Sequence, residues 1–346
     1  GVSGNALGFG AYTAVANYGA NGSVSTINGK NYATLVATKL ANPDLKWEKT
    51  SMLNIGLDYA FFNGRLNGSI EYYNKVTKDL IWNYPVTSFL YPFSTISANV
   101  GEITNRGIEI SINAIPVQNK NFTWTTTLNL SHNKNKVNKL TNEKFSTASF
   151  TQGDPMVAGV SAEGYTQQIM EGEPLGTFFT YEFAGYDEDG TSVYYEHDAE
   201  TGARTGTTTK APKFKDRAVT GCAQPKLNMG WNNTFSYKNW SASFFFTGVF
   251  GNKIYNGLRA HYTAPDFFAG GKNVLKEFIT ERPATDKSSN VPSDKFIENG
   301  SYVRLQNLTL GYTFRNLDGW LNSLQLYVTA NNLFTITGYK GLDPEV

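Results

Sequence analysis

Apolar and polar residues alternate with a period of two along most of this chain. From Arg65 to Leu80 the even positions read Leu66, Gly68, Ile70, Tyr72, Asn74, Val76, Lys78 and Leu80, while the odd positions are almost wholly polar. The alternation returns at Ile108, Ile110 and Ile112, and at Phe122, Trp124, Thr126, Leu128 and Leu130. It returns again at Leu227, Met229 and Trp231, and at Leu324, Leu326, Val328 and Ala330. A helix with these sequences has no coherent apolar stripe, whereas a strand sorts the two classes onto opposite faces. The pattern predicts about ten strands, over residues 47–60, 65–80, 98–115, 122–138, 166–185, 191–196, 224–237, 240–255, 300–315 and 323–337. Most are about two to three times longer than the usual ~5–6 residues of a globular strand. A tilted strand crosses the hydrocarbon of a membrane with about 9–11 residues, so these would cross it and project beyond.

The connections alternate too. Short ones fall at residues 61–64, 116–121, 186–190, 237–239 and 316–322, and long ones at 81–97, 139–165, 197–223 and 256–299. Near the short turns lie Tyr59, Phe61, Phe62, Phe122, Trp124, Phe235, Tyr237, Trp240, Tyr312 and Phe314. Amphipathic rings gather in this way at a membrane–water interface. A soluble β-sandwich also holds aromatics, but neither strands of this length nor such one-sided loops. The expected fold is all-β, a transmembrane antiparallel β-barrel. Ala269–Thr280 is expected to form one short loop helix.

Composition narrows the field. Of 346 residues, 17% are charged and 14% aromatic, the reverse of a disordered chain. A net charge of +1 argues against a general nucleic-acid-binding surface. A single cysteine, Cys222, excludes a disulfide framework and a thiolate metal cluster, and with no nearby base in sequence it reads as an inert thiol. No run of about 18 apolar residues exists to form a membrane helix, a test that barrel strands pass because they are only half apolar. The opening residues GVSGN carry no Met and no signal-peptide pattern, so the sequence is expected to start at a processing site or inside a longer protein.

Candidate chemistry is sparse. Asp187 and Asp189, two apart before Gly190, suit a hard cation such as calcium, but Asp198 stands where a full calcium loop needs Glu; a solvated acidic turn is the alternative. Asp216 and Arg217 are candidates for a loop ion pair, and Glu163, Glu171 and Glu173 for a carboxylate pair. No nucleophile–base or phosphate-loop motif appears, so no catalytic residue is expected. Binding has more support. The loop at 81–97 carries Trp82, Tyr84, Phe89, Tyr91 and Phe93, and that at 256–299 carries His261, Tyr262, Phe267 and Phe268. Their flat rings can stack on sugars, pack on peptide side chains, form a loop core or meet a partner protein. The polar strand face, with Glu71, Tyr73, Lys75, Glu109, Asn129, Asn307, Thr329 and Asn331, is expected to line the lumen, either toward solute or as a hydrogen-bond lattice.

Eight stretches, in order, resemble one family. They are Asn42–Glu48 (NPDLKWE), Asn54–Asp58 (NIGLD), Phe62–Leu66 (FNGRL), Asn99–Glu109 (NVGEITNRGIE), Gly172–Gly176 (GEPLG), Ser301–Phe314 (SYVRLQNLTLGYTF), Leu326–Thr335 (LYVTANNLFT) and Gly341–Glu345 (GLDPE). Together they resemble the SusC/RagA-like TonB-dependent transporters. The resemblance implies a 22-stranded barrel in a Gram-negative outer membrane, plugged by an N-terminal domain. It further implies a SusD/RagB-like surface lipoprotein as lid, and energy from TonB. The whole of 1–346 is then expected to be the C-terminal part of the barrel, with plug and final strand outside it, its edge strands needing partners because unpaired backbone in lipid costs several kcal/mol per group. The function so implied is energised import of glycans or oligopeptides. The alternatives are a passive porin and a secreted β-rich adhesin or carbohydrate-binding protein.

Overall fold

The computed structural model describes residues 17–86, 93–152, 165–280, 290–315 and 321–345. Strand β1 (Asn17–Ile27) pairs with β2 (Lys30–Lys39) across Asn28 and Gly29, both at positive φ (51° and 74°). This hairpin precedes every strand expected from the sequence. Four long strands follow: β3 (Lys49–Phe61), β4 (Leu66–Pro85), β5 (Thr95–Gln118) and β6 (Phe122–Lys139). The chain then makes seven shorter strands: β7 (Ser149–Gln152), β8 (Gln167–Met170), β9 (Thr177–Tyr181), β10 (Phe183–Tyr186), β11 (Ser192–His197), β12 (Arg204–Thr209) and β13 (Arg217–Cys222). Next come β14 (Leu227–Tyr237), β15 (Trp240–Phe250), β16 (Lys253–Tyr255), β17 (Ile297–Asn299), β18 (Tyr302–Arg315) and β19 (Ser323–Thr337).

Eight of these form one antiparallel sheet in the order β19-β18-β15-β14-β6-β5-β4-β3. The two expected strands at 166–185 and 191–196 are not among them. Residues 166–185 break into three pieces, with Gly172, Gly176 and Gly185 at φ 90°, 78° and 115° where an uninterrupted strand cannot run. Their strands join separate sheets, β13-β9-β8-β7 and β10-β11-β12. Thus 140–226 is a single excursion from one end of the large sheet. The turn at 186–190 belongs to that excursion and is not a connection of the barrel type. Among the described residues, 256–299 holds three short α-helices, α1 (Gly257–Tyr262), α2 (Pro265–Ala269) and α3 (Lys276–Thr280), so of Ala269–Thr280 only Ala269, the end of α2, and Lys276–Thr280 are helical. All long excursions leave the same end of the sheet; at the other end β3–β4, β5–β6 and β14–β15 close tightly.

Register sorts the faces. Leu57, Ile70, Ile110, Leu130, Met229, Gly248, Val303 and Ile336 stand opposite one another from strand to strand, a row crossing all eight. Toward the short turns the parallel row Phe122, Tyr237, Trp240, Tyr312, Leu326 supplies aromatics, with the Trp240 and Tyr312 rings 4.7 Å apart. This apolar face suits hydrocarbon with an aromatic border. The opposite face is knitted by polar side chains: Thr127 Oγ1 donates to Asn113 Oδ1 (2.9 Å), Asn307 Nδ2 to Asn331 Oδ1 (2.9 Å), and the Thr309 and Thr329 hydroxyls pair at 3.0 Å.

Candidate functional site

The site begins with an irregularity in β4. Thr77 stands opposite Ile103 but Leu80 opposite Gly101, so Lys78 and Asp79 together face Glu102 alone. Asp79 takes φ 57°, which a short polar side chain tolerates. A compensating residue, Val100, restores the pairing of Ile81 with Asn99. One extra residue turns every later side chain to the other face. Leu80, which strict alternation puts with Ile70, instead lines a cavity with Thr77. Trp82 and Tyr84 follow it.

Two of the sequence motifs lock this irregularity. The Asn99 amide reaches past β4 and pairs with the backbone of Lys46: Lys46 N donates to Asn99 Oδ1 and Asn99 Nδ2 to Lys46 O, both at 2.8 Å. It also donates to Asp79 O at 2.7 Å, while Lys46 Nζ meets the Asp79 carboxylate at 2.9 Å. The side chain thereby occupies backbone groups that the bulge leaves without a ladder partner.

Around the bulge, β4 and β5 meet residues of the 140–226 excursion. A cavity of about 390 Å³ lies between them, walled by Leu80, Trp82, Ile103, Leu140, Phe150 and Ile169 among others. Beside it is a second, of about 320 Å³, ending in Asn105, Asn133, Asn135 and Gln224. Leu175 of the GEPLG stretch walls both, held by its N–H to Asn135 Oδ1 at 2.8 Å. The sequence reading missed this role for Asn105, Asn135 and Leu175; the Asn-rich run from 129 to 138 was its only trace.

The aromatic candidates divide. Tyr84 is 1% exposed and sits in a core with Phe145 and Phe150, its ring edge-on to Phe150 at 5.3 Å. It therefore serves loop packing, and it also borders the larger cavity. Trp82 lies 5.4 Å from the Phe150 ring and stays half-buried on the cavity wall. Both residues belong to strand β4, not to a loop. Phe93 is half-buried; Phe89 and Tyr91 lie outside the described residues. Tyr262, 36% exposed, packs edge-on to His261 at 5.0 Å. Phe268, 58% exposed, packs on Phe278 at 5.3 Å, and the Phe267 side chain lies outside the described residues. The polar candidates keep together: Glu71 on β4 faces Glu109 on β5, while Asn307 and Thr309 on β18 face Asn331 and Thr329 on β19. Tyr73, Lys75 and Asn129 share that face by parity.

Several ionic groups of the excursions are paired structurally. Glu182 accepts from Arg204 Nη2 (2.7 Å) and Nε (2.9 Å) and meets buried His197 Nε2 at 2.8 Å. The Arg204 hydrogen bonds hold its carboxyl below the usual range. Asp187 accepts from the Thr191 N–H at 2.7 Å, and the Lys210 ammonium sits on both Asp187 and Asp189. A cation already fills the position proposed for calcium, and Lys210 holds the Asp187 carboxyl down. Asp216 pairs with Lys215 Nζ at 2.8 Å, whereas Arg217 donates to the Tyr165 carbonyl at 2.9 Å. Glu171 caps the Leu140 N–H at 2.5 Å; Glu163 lies outside the described residues. Burial pushes the Cys222 thiol up, away from a reactive thiolate.

A family profile described as TonB dependent receptor-like, beta-barrel matches residues 6–333. TonB-dependent receptor P3 of Formosa agariphila is 34% identical over 340 residues, covering 90% of this chain and 32% of that protein. TonB-dependent receptor SusC of Bacteroides thetaiotaomicron is 32% identical over 329 residues, covering 92% of this chain and 32% of that protein. The chain thus spans about a third of the length of the curated relatives it matches. Among solved structures, that of the RagAB peptide transporter superposes with a TM-score of 0.76 at 24% identity, over 96% of this chain and 36% of that one, a likeness of fold.

Proposed function

This chain belongs to the TonB-dependent receptor β-barrel family and is part of an outer-membrane barrel, and from that premise we propose that the whole protein imports glycans or oligopeptides with energy delivered by TonB. In this reading residues 1–346 are the C-terminal part of the barrel, completed by a plug and further strands. A surface lipoprotein of the SusD/RagB kind closes the mouth from outside. The observation that carries the reading is the division of one sheet into a continuous apolar belt and a hydrogen-bonded polar face, with every elaborate segment at one end. Such a wall separates lipid from a lumen and gathers recognition at the mouth.

The role is capture and passage rather than bond breaking, and Glu182, Asp187 and Glu277 of the mouth are engaged by Arg204, Lys210 and Arg259. Trp82 and Tyr262 are the aromatic contacts favoured for solute or lid. The test is uptake of defined glycans and peptides by cells expressing full-length protein, with and without an uncoupler. Uptake abolished by the uncoupler and by Trp82→Ala with Tyr262→Ala supports energised import. Uptake indifferent to the uncoupler identifies a passive pore, and release of the protein from membranes without detergent identifies a secreted adhesin. Co-purification with a surface lipoprotein tests the lid.

A further inference from the structure

The two cavities beside the β4 bulge share Leu80, Ile103 and Leu175 and form one groove with unlike halves. The larger half is walled mainly by aliphatic and aromatic side chains, Trp82 and Phe150 among them, with Gln167, Gln168 and Tyr84 as its polar members. Its volume, about 390 Å³, falls within the range of small-molecule sites. In the smaller half, Asn105 Oδ1 accepts from Asn135 Nδ2 at 2.8 Å and Asn133 Oδ1 from the Tyr73 hydroxyl at 3.0 Å. The acceptors are engaged, while the Asn105 and Asn133 amide N–H groups have no partner among the described residues. Among the described residues, no charged side chain lines either half.

The groove also lies outside the hydrocarbon. Leu80 is about ten residues from Ile70 of the apolar belt, or roughly 33 Å along an extended strand, against a half-thickness of about 15 Å. Between them Asn74 and Lys78 replace apolar residues on the outer face. A solute arriving at the mouth meets the groove before the membrane level.

We propose that this groove binds a neutral peptide segment: one large apolar side chain enters the Trp82–Phe150–Ile169 half, and backbone carbonyls accept from the Asn105 and Asn133 amides. The proposal rests on the import reading and names the substrate class within it. A sugar ring fits worse. Its full rim of hydroxyls would enter walls of Leu80, Ile103, Leu140 and Ile169, where Gln168 Oε1 and the Tyr84 hydroxyl offer few partners, and each further buried unpaired hydroxyl is costly. Neutrality follows from the uncharged lining, since an ionised side chain would be desolvated there without a counter-ion.

The test uses full-length protein in detergent and isothermal titration with three probes: the blocked peptide Gly-Ser-Phe-Ser-Gly, the same peptide with Ala for Phe, and maltohexaose. The Phe peptide should bind about tenfold more tightly than the Ala peptide, the effect of burying one large apolar side chain. Ile169→Trp, which fills the apolar half, should erase that difference. Asn105→Leu should weaken both peptides alike, by about fivefold for one hydrogen bond. Heat-modifiable gel mobility checks that each variant folds. If Ile169→Trp does not, Ile169→Ala should shift preference from Phe toward a Trp peptide, and an unchanged preference overturns the proposal. Equal binding of Phe and Ala peptides overturns it too, as when the groove is filled from within the protein. So does a Phe preference that survives Ile169→Trp, or binding of maltohexaose alone. Uncoupler-sensitive uptake of maltohexaose without peptide binding removes the groove proposal and leaves import standing. Absence of uncoupler-sensitive uptake of any solute removes the import reading, whatever the peptides bind.

Discussion

Tyr73 lies across Gly107. The two stand opposite each other on β4 and β5, and a Cβ added to Gly107 would come within 2.6 Å of the Tyr73 hydroxyl and nearer still to the His132 carbonyl oxygen on β6. That hydroxyl continues over β5 to Asn133 on β6 at 3.0 Å, so one ring ties three strands. Gly107→Ala should therefore destabilise the barrel by about 1–3 kcal/mol, the usual cost of overpacking. The temperature at which folded protein loses its heat-modifiable mobility measures it; an unchanged transition would mean that both the ring and the β6 backbone give way freely.

Ile70 sits in the apolar row with Leu57 and Ile110 as its immediate neighbours. Ile70→Arg should cost about 2–4 kcal/mol if that row lies near the bilayer midplane. Glu71→Gln, one residue along on the polar face, should cost little. Urea unfolding in liposomes separates the two, and equal losses would contradict the assignment of faces.

Asp79 tests the bulge. At φ 57° a β-branched residue is strained, so Asp79→Val should cost about 1–3 kcal/mol. Asp79→Gly accepts that conformation and loses only the ion pair with Lys46. If both variants unfold at the same denaturant concentration, backbone conformation is not what the position selects for.

Acid should loosen the excursions before the barrel. Hydrogen bonds from Arg204 to Glu182 and from Arg259 to Glu277 hold both carboxyls below their ordinary 4.5. A carboxyl depressed in the folded state contributes stability above its unfolded value and loses it as pH falls through the folded one. Hydrogen exchange in 177–209 and 257–280 should therefore quicken as the pH falls below that ordinary 4.5 while the long strands stay protected. Uniform protection at both pH values would show these pairs to be marginal.

Calcium should leave stability unchanged, because Lys210 already neutralises Asp187 and Asp189. Melting curves with calcium and with chelator should superimpose. A calcium-dependent rise in Lys210→Ala but not in wild type would show that the turn retains the geometry for a cation and lacks only the space.

The long strands were legible because hydrocarbon on one side and polar surroundings on the other impose strict alternation, as in 65–77 and 122–131. The excursions obey no such rule. Thr177–Tyr181 is buried on both faces, so its short apolar run mimics a barrel strand. The β1–β2 hairpin offers little alternation, although its Asn-Gly pair announced a turn. The groove was harder still. Trp82 was visible as an aromatic, but its partners Phe150, Ile169 and Leu175 come from distant segments, and its direction depends on a bulge that composition does not encode.

The bulge at Lys78–Asp79 has a consequence for how variation along β4 should be distributed. A complete substitution scan of residues 66–85 would show tolerance rising and falling every second residue. Below Lys78 the even sites would reject charge because they touch lipid. Above Asp79 the even sites would reject it again, now because they touch the inside of the mouth. The wave keeps its rhythm while its meaning reverses, so one strand answers to the membrane along one stretch and to the interior of the mouth along the next.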